Sequence, residues 1–136
     1  MTLPIEIPDG GKALGIGCDL AEVQRIKDAH ERHGQSFLDK VFTPAEQEYC
    51  LKQSNPYPSL AARWAAKEAM TKALSTGVSE HIGLLDIEVT KGSRNEPKIR
   101  LSQKGDLLLY RIGGKQCKVT LSHTREIAMA VVAVLE

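Results

Sequence analysis

The pattern of apolar and polar positions is most informative at residues 60–74, which read LAARWAAKEAMTKAL. These residues are mostly strong helix formers, and neither glycine nor proline interrupts them. At about 100° per residue the apolar side chains fall on two sides of a helix, so no face is wholly polar, and such a helix is usually buried. We therefore predict a central buried helix, with Pro58 and Ser59 as its start signals and Gly77 as its stop signal.

Five other segments have the pattern of β-strands. Period-two alternation, or a short unbroken apolar run, predicts strands at residues 13–19, 85–90, 97–101, 116–122 and 127–135. Gly15 and Gly17 in the first strand indicate a close approach by another backbone. The last strand is apolar on both faces, so it requires cover on both, from the helices on one side and a neighbouring subunit on the other.

Helical spacing predicts three further helices. Leu20, Val23 and Ile26 are three residues apart and predict a helix that ends near Gly34. Thr43-Pro44-Ala45-Glu46 is a capping box that opens a helix to about residue 52. A third helix runs from a cap at Ser102 to the glycine pair at 113–114. Short turns join the final strands, and such turns make antiparallel pairs. The predicted fold class is therefore α+β, a helix layer on a mainly antiparallel sheet.

Length and composition narrow the functional class. The 136 residues predict a single domain, which we place at residues 12–136 after a loose N-terminal arm at residues 1–11. A net charge of +1 and only six aromatic residues (one Trp, three Tyr, two Phe) argue against a nucleic-acid-binding surface. The sequence contains no run of 18 apolar residues, so we predict no membrane span. Three cysteines without metal-ligand spacing indicate free thiols in a reducing cytoplasm.

Three polar groups are candidates for chemistry: Asp19 at a strand end, Glu68 with Lys72 on the central helix, and the turn His123-Thr124-Arg125. Two carboxylates and a lysine suit Mg²⁺ and a phosphate, because Mg²⁺ binds through one or two carboxylates together with substrate phosphates. Simpler interpretations remain open. Glu68 and Lys72 could form an i,i+4 salt bridge, Asp19 could cap a helix, and His123 could be a turn histidine.

Two sequence blocks resemble a known family. GIGCDLAEVQRI at residues 15–26 and RWAAKEAMTKALSTG at residues 63–77 are similar to the paired motifs of holo-acyl-carrier-protein synthases, the short bacterial type of 4′-phosphopantetheinyl transferase. An Asn-x-Pro hairpin (Asn95, Pro97) and a Ser-His-Thr turn at residues 122–124 extend the similarity. The resemblance implies the fold of that family and transfer of the phosphopantetheine arm from coenzyme A to a serine of apo acyl carrier protein, with 3′,5′-ADP as the other product.

The resemblance also implies roles for individual residues. Asp19 and Glu68 would hold Mg²⁺ at the coenzyme A pyrophosphate, and Lys72 would contact phosphate. The coenzyme A site would further include Arg63, Lys67, Gly77, His123 and Thr124, with Lys67 at the pyrophosphate or supporting Glu68. Arg25 would face the acidic carrier protein. The family implies a cytoplasmic homotrimer with sites between subunits. Two alternatives are a non-catalytic module that binds a nucleotide or carrier protein, and a purely structural trimer subunit.

Overall fold

The computed structural model describes residues 12–75 and 81–136, so the N-terminal arm and the stop signal at Gly77 lie outside the described residues. A short 3₁₀ turn, Leu84–Asp86, precedes the strand Ile87–Lys91. The helices and strands, in chain order, are β1 Ala13–Glu22, α1 Val23–His33, α2 Gln35–Val41, α3 Pro44–Leu51, α4 Tyr57–Ala73, β2 Ile87–Lys91, β3 Pro97–Leu101, α5 Gln103–Arg111, β4 Gln116–His123 and β5 Ile127–Leu135.

The strands form two antiparallel units. In the larger sheet β5 lies between β1 and β4, and β2 pairs with β3 as a hairpin. Helix α4 packs against the larger sheet and is buried on nearly all sides. This arrangement confirms the predicted α+β class. No helix in the described part of the chain is long and apolar enough to cross a membrane.

Local sequence signals correctly predicted where several helices begin or end. The Thr43 side chain accepts from the Glu46 backbone N–H and Glu46 accepts from the Thr43 N–H, which confirms the capping box of α3. Ser102 caps α5 through the Gly105 N–H. Gly34, with φ of 59°, ends α1 as predicted.

Several predicted boundaries were wrong, and one helix was missed. The first strand continues to Glu22, so Leu20 belongs to β1, where it pairs with Met129 of β5. Pairing with a complete neighbouring strand outweighs the weak helical spacing of that segment. Helix α2 was not predicted, and α4 begins at Tyr57. Because proline is compatible with a first helical turn, Pro58 lies inside the helix instead of ahead of it.

The contact between β1 and α4 depends on two glycines. A Cβ added to Gly17 would lie 2.0 Å from the Ala69 carbonyl oxygen, and one added to Gly15 would lie 2.1 Å from the Ala73 carbonyl oxygen. Only a residue without a Cβ lets the helix backbone approach the strand this closely. The predicted close approach is therefore confirmed, and α4 is the partner.

The larger sheet has one covered face and one exposed face. Val132 and Val134 are fully buried beneath α4. On the opposite face Ile16 is 68% exposed, Leu20 is 64% exposed and Met129 is 40% exposed. We call this second face, formed by Ile16, Leu20 and Met129 with Ile127, the open apolar face. The helix layer thus supplies one of the two covers that the sequence of β5 requires.

We predict that Gly17→Ala lowers the free energy of unfolding by about 1–3 kcal/mol, because the new methyl group must displace the backbone of α4. Chemical denaturation of both proteins measures the difference. Gly83→Ala is the matched control, since its Cβ would meet nothing nearer than an Asp86 carboxylate oxygen at 3.5 Å. It should change stability by less than about 0.5 kcal/mol. Equal effects of the two substitutions would contradict the close-packing explanation.

Candidate active site

The end of β1 brings Asp19 against helix α4. Asp19 lies two residues after Gly17, so it points to the same face of the sheet as the glycines that contact α4. The Lys72 Nζ atom donates to Asp19 Oδ1 at 2.8 Å and to the Cys18 carbonyl oxygen at 3.1 Å. The close approach of strand and helix therefore places these two charged side chains together.

Glu68 lies one helical turn before Lys72 on α4 and joins the same group. Burial raises the pKa of Glu68, the negative charge of Asp19 raises it further, and Lys72 opposes both. The hydrogen bond that Lys72 donates to Asp19 is the main cause of the raised pKa of Lys72. Within the described residues Lys72 pairs with Asp19 and not with Glu68, so the i,i+4 salt bridge is not formed. Asp19 is no helix cap either, because the N-cap of α1 is Glu22.

This carboxylate pair has the chemistry of a partial cation site. Among residues 12–75 and 81–136, no three His, Cys, Asp or Glu side chains form a ready-made metal centre. Two neighbouring carboxylates with one lysine fit a hard divalent cation that takes its remaining ligands from water and a substrate phosphate. The raised pKa of Glu68 shows that its negative charge is unfavourable where it lies, and a bound cation would relieve this.

A second group of predicted residues lines a cleft of about 650 Å³. Arg63 and His123 both line it, together with Tyr49 and Lys91, but Asp19, Glu68 and Lys72 do not. Helix geometry explains the separation, because five residues of α4 rotate the side chain by about 140° and advance it by about 7.5 Å. Arg63 and Glu68 therefore face different sides of the same helix. In one chain, Asp19, Glu68 and Lys72 therefore form one cluster, and Arg63 and His123 belong to another.

Arg63 is held firmly but not fully satisfied. Its side chain is buried, its Nη1 atom donates to Ser59 Oγ at 2.7 Å, and its guanidinium lies 4.4 Å from the centre of the Tyr49 ring. The buried Nε atom has no hydrogen-bond partner among the described residues. A buried donor without an acceptor is unfavourable, so this atom is a candidate contact for an anionic ligand.

The turn between β4 and β5 presents the other predicted nucleotide contacts. The Thr124 hydroxyl accepts from the backbone N–H groups of Glu126 at 3.2 Å and Ile127 at 3.1 Å, which fixes the turn. The His123 Nδ1 atom lies 3.4 Å from the Thr124 carbonyl oxygen, and the side chain is exposed at the cleft. Thr124 is exposed as well, so both residues are accessible to a ligand.

The structure places Lys67 away from both clusters. Its Nζ atom is fully buried, lies 2.7 Å from Glu46 Oε1, and donates to the carbonyl oxygens of Leu84 and Ile87. Lys67 therefore neither reaches the Asp19–Glu68 pair nor opens to the cleft. The expectation that it contacts pyrophosphate or supports Glu68 directly is wrong, because the residue next to Glu68 on a helix points about 100° away.

Arg25 lies on the exposed side of α1, beside a largely apolar hollow of about 390 Å³. Leu20, Phe37 and Trp64 form much of the hollow. Glu22 lines the hollow as well, and the positive charge of Arg25 is the feature complementary to an acidic protein surface. Gly77, the remaining predicted contact, lies outside the described residues.

Sequence reasoning missed Tyr49 and Lys91. The Lys91 Nζ atom lies 5.2 Å from the centre of the same Tyr49 ring that Arg63 contacts. Neither residue belongs to a motif, and they come from α3 and β2, far apart in the sequence. The only available signal was a lysine at the end of a strand that enters the hairpin.

Comparisons with known proteins agree with this geometry. A family model described as the 4′-phosphopantetheinyl transferase superfamily matches residues 15–132. The holo-[acyl-carrier-protein] synthase of Chlamydia felis is 45% identical over 120 residues, covering 88% of this chain and 95% of its own length. That of Halothermothrix orenii is 44% identical over 118 residues, covering 87% and 94%.

Solved structures of such enzymes share the fold. The Neisseria meningitidis holo-[acyl-carrier-protein] synthase has a TM-score of 0.86 at 26% identity, covering 92% of this chain and 100% of that one. The Helicobacter pylori enzyme, solved in complex with coenzyme A, has a TM-score of 0.78 at 31% identity, covering 88% and 98%. The chain therefore belongs to the 4′-phosphopantetheinyl transferase superfamily.

Proposed function

We propose that this chain is an enzyme that transfers the 4′-phosphopantetheine arm of coenzyme A to a serine of apo acyl carrier protein, in support of fatty acid biosynthesis. The observation that carries the proposal is the Asp19–Glu68–Lys72 cluster, whose two carboxylates and one ammonium suit a pyrophosphate with its cation. The serine oxygen forms a bond to the phosphorus that carries the pantetheine arm. The bond from that phosphorus to 3′,5′-ADP breaks, and the serine proton leaves to a base.

Asp19 and Glu68 are the residues that would hold Mg²⁺. When bound, this ion neutralises phosphate charge and stabilises the leaving group. Lys72 balances the remaining negative charge, since its Nζ atom already lies at the carboxylate of Asp19. Phosphoryl-type transfer depends mainly on positioning and charge stabilisation, which is what fixed charged side chains supply.

The nucleotide part of coenzyme A is proposed to bind in the cleft with Arg63, His123 and Thr124, with Gly77 contributing near the phosphates. Support comes from the unpaired Arg63 Nε atom and the exposed His123. Because the cleft does not include Asp19, Glu68 or Lys72, we propose a homotrimer in which the cleft of one subunit and the carboxylate cluster of the next form one site. Three free cysteines support a reducing, cytoplasmic location.

Substitution of either carboxylate tests the proposed reaction. Glu68→Gln keeps the size of the side chain but removes its charge, so transfer should fall at least about 100-fold. The mass of a carrier protein incubated with coenzyme A and Mg²⁺ measures transfer. Asp19→Asn should behave alike, and the double variant should lose little more than either single one, since both act through one ion. Near wild-type transfer by folded Glu68→Gln would refute the proposed reaction site.

The same variant should become more stable while it loses activity. The raised pKa of Glu68 means that the folded state holds this proton more tightly than the unfolded chain does. Wild-type stability must therefore fall as pH rises from the ordinary value of 4.5 through the raised one. In thermal melts without divalent cations, the melting temperature of Glu68→Gln should rise relative to that of the wild type as pH increases over this range. A less stable variant at neutral pH would instead make Glu68 a structural residue.

Assembly is tested by a charge placed on the open apolar face. Sedimentation of the wild type at micromolar concentration should show a trimer, because Ile16 and its neighbours are too apolar and too exposed for a lone chain. Ile16→Glu should give monomers that lack transfer activity. Tyr110→Glu, at a side chain that is 78% exposed on α5, should remain trimeric. A stable wild-type monomer would contradict the assembly.

Arg25 is proposed to steer the acidic carrier protein. Arg25→Ala should lower kcat/KM for the carrier protein severalfold, more strongly at low salt, because charges outside the reaction centre act mainly on association. Coenzyme A affinity should stay nearly unchanged. Lys104→Ala removes the same charge from exposed α5 and should have no such effect. Equal loss of affinity for both substrates would place Arg25 in the nucleotide site.

A further inference from the structure

The Glu46–Lys67 pair is a fully satisfied ion pair in the core. Both side chains have no exposed surface, and the Lys67 Nζ atom lies 2.7 Å from Glu46 Oε1. The ammonium also donates to the Leu84 carbonyl oxygen at 3.0 Å and to that of Ile87 at 2.5 Å. An ammonium has three donors, and all three are used. Lys67 therefore has no hydrogen left for a ligand.

Glu46 connects the same pair to two other elements. Its Oε1 atom accepts from the Thr43 N–H at 2.9 Å, at the start of α3, and its Oε2 atom accepts from the Val89 N–H at 2.9 Å, within β2. Together the two side chains bind α3, α4, the 3₁₀ turn and β2 to one another. Burying two charges is costly and is often no more stabilising than apolar packing, so stability alone does not account for the pair.

Three of these elements meet again at the cleft. Tyr49 lies three residues after Glu46 on α3, Arg63 lies four residues before Lys67 on α4, and Lys91 lies two residues after Val89 on β2. On the two helices this spacing returns a side chain to the same face. On β2, Lys91 follows closely after the residue whose backbone N–H donates to Glu46. The contacts of the Tyr49 ring with Arg63, at 4.4 Å, and with Lys91, at 5.2 Å, therefore lie one structural repeat from the ion pair.

We propose that the Glu46–Lys67 pair is a positioning device for the cleft: it holds Arg63 and Lys91 at a fixed separation across Tyr49, so that the two cations and His123 receive the phosphate end of the nucleotide. Lys91 thereby becomes a nucleotide-binding residue in addition to Arg63. A dianionic phosphate monoester matches two cations that are already placed, because no side-chain ordering is needed when it binds. The inference rests on the proposed function, since it takes coenzyme A as the ligand of the cleft.

The test replaces both charges together, Glu46→Gln with Lys67→Met, so that no buried charge is left without its partner. Calorimetry with 3′,5′-ADP should show affinity at least about tenfold weaker than wild type, and KM for coenzyme A should rise equally. The value of kcat at saturating coenzyme A should stay within about threefold, because the Asp19–Glu68–Lys72 cluster is untouched. Lys91→Met should weaken 3′,5′-ADP binding in the same way.

Leu109→Ala is the control for lost stability, since Leu109 is buried on α5, outside the elements that the pair joins. It should lower the melting temperature without changing 3′,5′-ADP affinity. Wild-type affinity in the double variant, or an equal loss in the control, would overturn the positioning role. If the double variant does not fold, Glu46→Asp is tested in its place, because aspartate keeps the charge but is too short to reach Val89 as glutamate does. Wild-type 3′,5′-ADP affinity in Glu46→Asp would also overturn the positioning role. Failure of the wild type to bind 3′,5′-ADP would instead reject the proposed function.

Discussion

The structure depends on the close contact between strand β1 and helix α4. Gly15 and Gly17 let the carbonyl oxygens of Ala73 and Ala69 lie where a Cβ would otherwise be. A strand that touches a helix backbone has a fixed position along it, and every side chain that follows on the same face has a fixed position too. Asp19, two residues after Gly17, therefore meets Lys72 without any loop being needed to orient it. Precision at the carboxylate cluster comes from backbone packing, which is stiffer than a network of long side chains.

Helix α4 carries four charged residues in three different environments. Lys67 is neutralised in the core by Glu46, whereas Arg63 stacks on Tyr49 and keeps one donor without a partner among the described residues. Glu68 is half-buried near the carboxylate of Asp19, and both its burial and this neighbouring charge raise its pKa. The Glu46–Lys67 pair has all its interactions within the protein and serves the packing of the fold. Arg63 and Glu68 lack favourable interactions that a ligand would add. Unfavourable electrostatics that persist in an otherwise well-packed helix are a recognised feature of functional sites.

Sequence patterns were sufficient wherever a local rule governed the structure. The capping box at Thr43, the cap at Ser102 and the apolar run of β5 depend on neighbouring residues alone, and each was predicted correctly. Leu20 was assigned to a helix because strand pairing with Met129 is a long-range interaction that spacing does not reveal. The role expected for Lys67 was wrong for a related reason. Its actual partner is Glu46, and only the packed fold determines that Glu46 lies beneath α4. The motif identified Glu68 and Lys67 equally, although they face different surroundings.

Helix α4 contributes to two clusters on different sides, and this limits how a complete coenzyme A site can form. Arg63 opens to the cleft, while Glu68 and Lys72 lie with Asp19 outside it. A coenzyme A molecule that must use both clusters at once is served most directly when the second cluster comes from a neighbouring copy. The open apolar face gives a physical reason for such copies to associate, because Ile16 and Leu20 are more than 60% exposed in the single chain. Under the proposed assembly, burial of that face and completion of the site are one event, so the uncovered surface and the incomplete site of the single chain have the same explanation.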